Sequence, residues 1–351
     1  MTRHQLFAAT LFLSSACAAD IGDSMDPELE QAEVMTLNAM TLNAMTLNAL
    51  SANFEASQAM VDHPLDTESF SGAVPELKNQ LSDALTQEFM HYLVGCALKP
   101  GQYVKYEDQL FGGAYDNKWE GELGLCPDWH YGPADQTCQE VVSACLLSRV
   151  NAFGVSVDLS LRGHDANGSP IPVDAAEVAA LPWREGAFYG DIFEPAALAD
   201  GVNIFVDGDG KVQGRDGLKI QGAIYTNMYA CVSSVWTLPE AYAKDRICAG
   251  GDMNCAARNV GACRYHQTFA PRYKCAWHDD PATGNGDEDY QICRDDTSPT
   301  PQVWKNALTV FLQSPCSLYP KGQGEHCEIT LRNLKYGPSA WDPYDAKGQG
   351  W

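Results

Sequence analysis

The chain has 351 residues, is 45% hydrophobic and 10% aromatic, and carries a formal net charge of −23. It holds enough apolar material for a packed core in one large domain or two modest ones. So negative a surface repels phosphate backbones, which argues against nucleic acid as a partner, and suits solubility, cations or basic partners.

The first residues read as a signal peptide over residues 1–16: Arg3, a short apolar run from Leu6 to Leu13, then Ser14, Ser15, Ala16 and Cys17. The run is far shorter than the roughly 18 residues that span a bilayer. Leu13-Ser-Ser-Ala-Cys17 resembles a bacterial lipoprotein box with its leucine one position early, which makes Cys17 the candidate lipidation site. Ordinary cleavage after Ala18 is the alternative. Several acyl chains on Cys17 would give a stable anchor where one chain would not.

Residues 17–74 read as an acidic tether. No Lys or Arg occurs between Arg3 and Lys78, and Met35-Thr-Leu-Asn-Ala39 repeats from Met40 and from Met45. A period of five builds neither a helix face nor a strand face. Three copies are also too few to bury a solenoid core. A flexible spacer is expected, with a root-mean-square reach of about 40 Å. A docking motif for a partner is the alternative.

A helix-rich part is expected over 75–182. Pro75-Glu76 suits a first helical turn, and Leu77, Leu81, Leu85, Phe89, Leu93 and Cys96 fall near one face, up to Lys99-Pro-Gly101. A strand pair is expected around Tyr103–Tyr106 and Gln109–Phe111. A second helix runs from its N-cap Asp135 to about Phe153, followed by a strand through Val155, Val157, Leu159 and Leu161. Asp174 and Glu177 look like a capping box. A β-rich, cysteine-rich part is expected over 183–351, in which Asn203–Val206, Asp207-Gly-Asp-Gly210 and Lys211–Gln213 read as a hairpin. Further strands are expected at Ile220–Tyr225, Met228–Trp236, Val303–Leu312 and Glu328–Leu334. The fold class is therefore α+β, with a disulfide-stapled C-terminal part behind a disordered tether.

There are 13 cysteines. Setting Cys17 aside leaves an even set that suits disulfides: Cys96, Cys126, Cys138, Cys145, Cys231, Cys248, Cys255, Cys263, Cys275, Cys293, Cys316 and Cys327. Cys138 and Cys145 lie seven apart on one helix, about 10 Å along its axis, too far for a mutual bond. They share a face and are expected to meet Cys126 and Cys96. The run from Cys248 to Cys293 reads as a loop region held by bridges more than by packing.

Cys263-Arg-Tyr-His266 and Cys275-Ala-Trp-His278 offer two thiolates and two imidazoles, a tetrahedral zinc set, but export favours oxidised cysteines. Asp207 and Asp209, with Asn203 and Asp216, and a second acidic loop containing Asp287 and Asp289, are weak calcium candidates. Neither follows the EF-hand spacing, and Asp-Gly pairs are also what tight turns need. No metal or other cofactor is therefore assigned. Cys126-Pro-Asp-Trp-His130 places Cys, Asp and His together, yet a bridged cysteine is inert. Asp191 and Glu194 beside Tyr189 form a carboxylate pair of the kind glycosidases use, in a chain acidic enough for chance pairs. There is no G-x-S-x-G, H-E-x-x-H, P-loop or dinucleotide fingerprint. Several of Trp119, Trp129, Trp183, Trp236, Trp277, Trp304, Trp341 and Trp351 stand in polar, glycine-rich surroundings, where rings stack on sugars or anchor interfaces, unless they pack in the core.

The layout resembles cysteine-rich lipoproteins of Gram-negative bacteria that have no known activity. The resemblance is carried by the short asparagine-containing repeat, Tyr92-Leu-Val-Gly-Cys96-Ala-Leu, Val142-Ser-Ala-Cys145-Leu-Leu-Ser-Arg149-Val-Asn151 and Glu185-Gly-Ala-Phe-Tyr-Gly190. It covers most of 75–335 and implies location and fold continuity only. The functional expectation is a lipid-anchored surface protein, at the outer membrane or secreted, that binds a glycan or protein partner without chemistry. The alternatives are a secreted hydrolase with a site assembled from distant residues, and a calcium-stabilised extracellular module.

Overall fold

The computed structural model describes residues 57–81, 84–107, 116–151, 156–194, 205–206, 212–213, 227–232, 246–247, 255–263, 275–279, 288–294 and 302–313. Both helices and antiparallel sheets are present, so the fold is α+β, and bridges staple its C-terminal part. Residues 1–56, which hold the expected signal peptide, Cys17 and the repeats, lie outside the described residues, while residues 57–74, expected as the end of the tether, put Met60, Val61, Leu65, Phe70 and Val74 into the core.

Among the described residues the α-helices in chain order are α1 (Ser57–Val61), α2 (Pro75–Gln80), α3 (Ala84–Ala97), α4 (Gln136–Ser148) and α5 (Ala175–Ala180), with a π-helical turn at Ser69–Ala73 and a 3-10 turn at Pro127–His130. The single helix expected from Pro75 to Cys96 is two segments. Proline at N1 opens α2, which closes at Leu81, whose N–H reaches the Lys78 carbonyl. Asp135 is the N-cap of α4, its Oδ1 accepting from the Cys138 amide at 2.8 Å. The helix stops at Ser148, short of Phe153, because Arg149 caps it by donating its backbone N–H to Cys145 and Leu146 carbonyls. Asp174 caps α5 through the Glu177 amide at 2.7 Å, as the capping box requires. The Glu177 side chain itself is buried instead of closing the box, and that burial raises its pKa against the influence of Ser160 and Arg162.

Strand β1 (Tyr103–Glu107) pairs with β2 (Asp116–Glu120); the expected partner, Gln109–Phe111, lies outside the described residues. A five-stranded sheet follows from β3 (Leu159–Arg162), β4 (Trp183–Gly190), β7 (Met228–Val232), β8 (Arg258–Ala262) and β12 (Leu308–Leu312), in the order β3-β12-β4-β7-β8. All neighbours are antiparallel except β7 and β8. A three-stranded sheet runs β11 (Val303–Trp304), β10 (Glu288–Arg294), β9 (Cys275–Asp279). The expected strand Val303–Leu312 is thus two strands, one in each sheet, with Lys305–Ala307 between them. Of the expected hairpin, β5 (Phe205–Val206) pairs antiparallel with β6 (Val212–Gln213), and the residues between them, 207–211, lie outside the described residues. Ile220–Tyr225 and Glu328–Leu334 lie outside the described residues.

The five-stranded sheet separates two cores. Leu159, Leu161, Phe188, Met228, Ala230, Leu308, Val310 and Leu312 join the core built on α3 and α4. Ala187, Tyr189, Tyr229 and Cys231 point the other way, alternating as strand geometry demands, into a second core with Cys263, Cys275, Cys293 and Trp304. Cys96–Cys145 fastens α3 to α4, and Cys126–Cys138 fastens the segment before α4 to its first turn, the pairing expected from the helix spacing. Cys231–Cys263 and Cys275–Cys293 sit in the second core. Cys255 is also bridged, to a partner outside the described residues.

One polar group crosses the main core. Arg246 is fully buried, donating from Nε and Nη2 to the Glu185 carboxylate at 2.8 and 2.6 Å and from Nη1 to the Ser148 and Val150 carbonyls at 2.7 and 2.5 Å. Its guanidinium faces the Phe188 ring, 5.0 Å from the centroid. A buried charge stripped of its partner costs about 3–5 kcal/mol, whereas replacing the whole pair by apolar groups of similar volume costs far less. Arg246→Met is expected to lower unfolding free energy by about 3–5 kcal/mol, and Arg246→Met with Glu185→Leu by clearly less. Chemical denaturation of the two variants checks this. Equal losses would mean the pair is not the source of the effect.

Candidate functional site

A polar cleft of about 440 Å³ opens where the start of α4, the turn after β3 and the β11–β12 connection meet. Thr137 comes from the first turn of α4. His164, Asp165, Asn167 and Gly168 come from the turn, and Lys305 and Asn306 from the connection. The turn is built by its aspartate: Asp165 Oδ1 accepts from the Asn167 and Ser169 amides at 2.9 and 2.8 Å. The Gly168 amide closes the loop onto the Asp165 carbonyl at 3.0 Å with φ +77°, the left-handed region that favours glycine. The Ala166 amide bonds to the Leu125 carbonyl at 2.7 Å and seats the turn on the helical layer.

A polar stripe leads from the cleft into the protein. Thr137, Glu140 and Ser143 lie three residues apart on α4, so each neighbours the next and the stripe winds from the cleft toward the buried side. Asn306 reaches from the cleft to donate its amide to Glu140 at 2.7 Å. Burial raises the Glu140 pKa, opposed by its hydrogen bonds from Asn306 and Gln136. Ser143 Oγ, further along, accepts from the Ile192 amide at 3.0 Å and fixes the turn that follows β4.

That turn carries a second group of carboxylates. Gly190 has φ +129°, and a Cβ there would run into the Asn227 carbonyl. Only glycine lets β4 end so close to β7. Asp191 follows, 5% exposed, its Oδ1 accepting from the Phe193 amide at 2.8 Å. Glu194 accepts from the Asn227 side-chain amide at 2.6 Å. Burial, chiefly, and the charges of Glu194 and Glu140 push the Asp191 pKa up to about 6, against the backbone hydrogen bond that favours its anion. A carboxyl raised this far can exchange a proton near neutral pH.

Asp191 and Glu194, the carboxylate pair weighed from the sequence, lie three residues apart in this turn, and the charges of Glu194 and of Glu140 on α4 both act on Asp191. Tyr189 is not part of it: it lies in the second core, its hydroxyl donating to the Arg294 carbonyl at 3.0 Å. Cys126 is bridged, and His130 contacts the Leu65 carbonyl at 3.0 Å, which leaves no Cys-His pair there. Cys263 and Cys275 are held in separate bridges to Cys231 and Cys293, the oxidised state that was expected over a zinc set with histidines. His266 and the His278 side chain lie outside the described residues. So do Asn203, Asp207, Asp209, Asp216 and Asp287, while Asp289 is described only as a backbone position in β10 opposite His278. Three of the tryptophans read as candidate stacking platforms are core residues: Trp119, Trp129 and Trp304 are 4%, 1% and 1% exposed. Trp119 stacks on Tyr106 at 3.7 Å between centroids, and Trp129 donates to the His63 carbonyl. Apolar packing outweighed their polar sequence neighbours.

Sequence reasoning missed Glu140, Asn227 and Asn306. The stripe of Thr137, Glu140 and Ser143 at three-residue spacing was the available signal for the first; the amides had none, since each acts on a carboxylate far away in sequence.

Asp191 also makes stability depend on pH. Its carboxyl holds a proton up to about pH 6 in the folded chain and to about pH 4 in the unfolded one. The folded state therefore binds more protons between those values. The contribution of Asp191 is most favourable below about pH 4 and is lost as pH rises through about 6, a change of about 3 kcal/mol. Asp191→Asn is expected to remove that slope and to be the more stable form at pH 7. Unfolding free energies of both proteins at pH 4.5 and 7 measure it, and parallel profiles would contradict it.

Compared with protein-family models, curated proteins and solved structures, the chain matches none.

Proposed function

We propose that the protein is an exported module, held at a membrane surface by lipid on Cys17, that binds a glycan in the cleft between the 164–168 turn and the β11–β12 connection. The cleft carries this reading. Its wall mixes the Thr137 hydroxyl, the Asn167 and Asn306 amides, the Asp165 carboxylate, the Lys305 ammonium and the His164 ring. Sugar hydroxyls both donate and accept, and they need partners of both kinds. The Asn306 amide is held by Glu140 and so is oriented before a ligand arrives, which lowers the ordering cost of binding. Export is supported by the bridges, which persist in oxidising compartments. Among the described residues no helix is long and apolar enough to cross a membrane, and in this reading the lipid on Cys17 supplies the attachment. The acidic spacer would carry the module clear of anionic headgroups.

A secreted hydrolase is the second reading, favoured by one observation: the raised pKa of Asp191 next to Glu194 and Glu140. It requires turnover of an ester, peptide or glycoside that Asp191→Asn abolishes.

Screening the purified full chain against immobilised glycans and titrating the best ligand separates the readings. Asn306→Ala and Thr137→Ala are each expected to weaken that ligand about 2–10-fold, the worth of one hydrogen bond. Unchanged affinity in both variants would remove the cleft from the binding function, and turnover lost in Asp191→Asn would replace binding by hydrolysis.

A further inference from the structure

The second core gathers four sulfurs from two sheets. Cys231 lies on β7, Cys263 directly follows β8, Cys275 opens β9 and Cys293 lies on β10. The Cys275 amide donates to the Cys263 carbonyl at 3.0 Å, which holds these two backbones side by side. All four side chains are at most 1% exposed. The Sγ atoms of Cys231, Cys275 and Cys293 lie within 4.8 Å of one another, and Cys231 and Cys275, members of different bridges, approach to 3.4 Å. Zinc–sulfur bonds of about 2.3 Å in a tetrahedron put the sulfurs about 3.8 Å apart, the scale of these three, while Cys263, bonded to Cys231, lies outside that set and would move to become the fourth ligand.

A second observation points to a ligand there. Trp304 is 1% exposed, pairs in register with Cys293 and belongs to the same core, and its indole N–H has no hydrogen-bond partner. A buried donor without an acceptor costs about 1–3 kcal/mol. A bridged sulfur is a poor acceptor, whereas a metal-bound thiolate carries charge and accepts N–H donors well. Tyr189, Tyr229 and Val260 close the surroundings against water.

We propose that Cys231, Cys263, Cys275 and Cys293, when reduced, form a tetrathiolate site for a soft divalent cation of the zinc type, with the Trp304 indole donating to one of its sulfurs. The step balances with a dithiol as reductant. Each bridge takes two electrons and two protons from one dithiol, which leaves as its own cyclic disulfide. Binding the cation then releases the four thiol protons, and the centre carries two negative charges. The donor set is all sulfur and differs from a set in which Cys263 and Cys275 are joined by histidines. The same core thus has two closed states, bridged or metallated, and the compartment's thiol poise selects between them.

The test uses the full chain and cobalt(II) as the probe. The native protein is treated with dithiol without denaturant, freed of it under anaerobic conditions and titrated with Co²⁺. The expected result is one equivalent bound, with thiolate-to-cobalt charge transfer in the near ultraviolet and tetrahedral bands in the red, all displaced by Zn²⁺. The bands should vanish in Cys231→Ser with Cys275→Ser and persist in Cys96→Ser with Cys145→Ser. Trp304→Phe, which keeps the ring packing, should weaken cobalt binding about 3–10-fold, the worth of one charge-assisted hydrogen bond. Absence of the red bands, their survival in the Cys231 and Cys275 variant, or bridges that resist dithiol in the folded chain would each overturn the proposal.

Discussion

The Arg246 guanidinium ties together three pieces of chain that nothing local would join. It neutralises Glu185 in the central strand β4, takes up carbonyls at the end of α4, and lies over Phe188. The last carbonyls of a helix lack partners within the helix and carry partial negative charge, so a cation at that end is favourable. Burying the cation is costly, and the bidentate carboxylate and the two carbonyls together offset that cost. The same contact sets the height and tilt of α4 on the sheet. The stripe of Thr137, Glu140 and Ser143 rides on that helix, so the seat of Arg246 also decides where Glu140 meets Asn306 and where Ser143 fixes the turn of Asp191.

The sheet then divides the work between two kinds of core. On the helical face, apolar side chains from both parts of the chain pack directly, and Cys96–Cys145 and Cys126–Cys138 reinforce contacts that packing already makes. On the other face the core is small and made of aromatic rings and sulfur. There the bridges supply much of the cohesion, because closing loops in the unfolded chain removes entropy that a small apolar core cannot recover. This contrast suits a module whose cleft sits on the rigid helical side. Thr137 stands one residue before the bridged Cys138, and the Asp165 turn is pinned to Leu125, next to bridged Cys126. A glycan bound as proposed would meet walls that are largely formed.

Local rules carried the sequence reading well and failed where distant groups compete. Helix periodicity placed Cys138 and Cys145 on one face and so led to their partners. The caps at Asp135 and Asp174 follow from side chains acting on amides three residues on. The pairing of β5 with β6 follows from the turn chemistry read at Asp207–Gly210. The end of α4 did not follow, because Val150 and Asn151 are apolar or neutral and read as more helix, while Arg246, almost a hundred residues away, claims the carbonyls there. The break of Val303–Leu312 into strands of two sheets was hidden for a similar reason: Lys305 and Asn306 leave the ladder for the cleft and for Glu140. Trp119, Trp129 and Trp304 have polar neighbours in sequence yet pack in the core, as the sequence reading allowed, since burial is decided by neighbours in space. The carboxylate group at Asp191 was half legible, its pair on one strand end visible and its third member on another element not.

The account stands on a sheet with one bridged core on each face. Its most direct test is peptide mapping of the unreduced, thiol-blocked protein by mass spectrometry. The account predicts the linked peptides Cys96–Cys145, Cys126–Cys138, Cys231–Cys263 and Cys275–Cys293, with none of these eight cysteines blocked as a free thiol. A link from any of the first four cysteines to any of the last four would join the two faces through the sheet and contradict it.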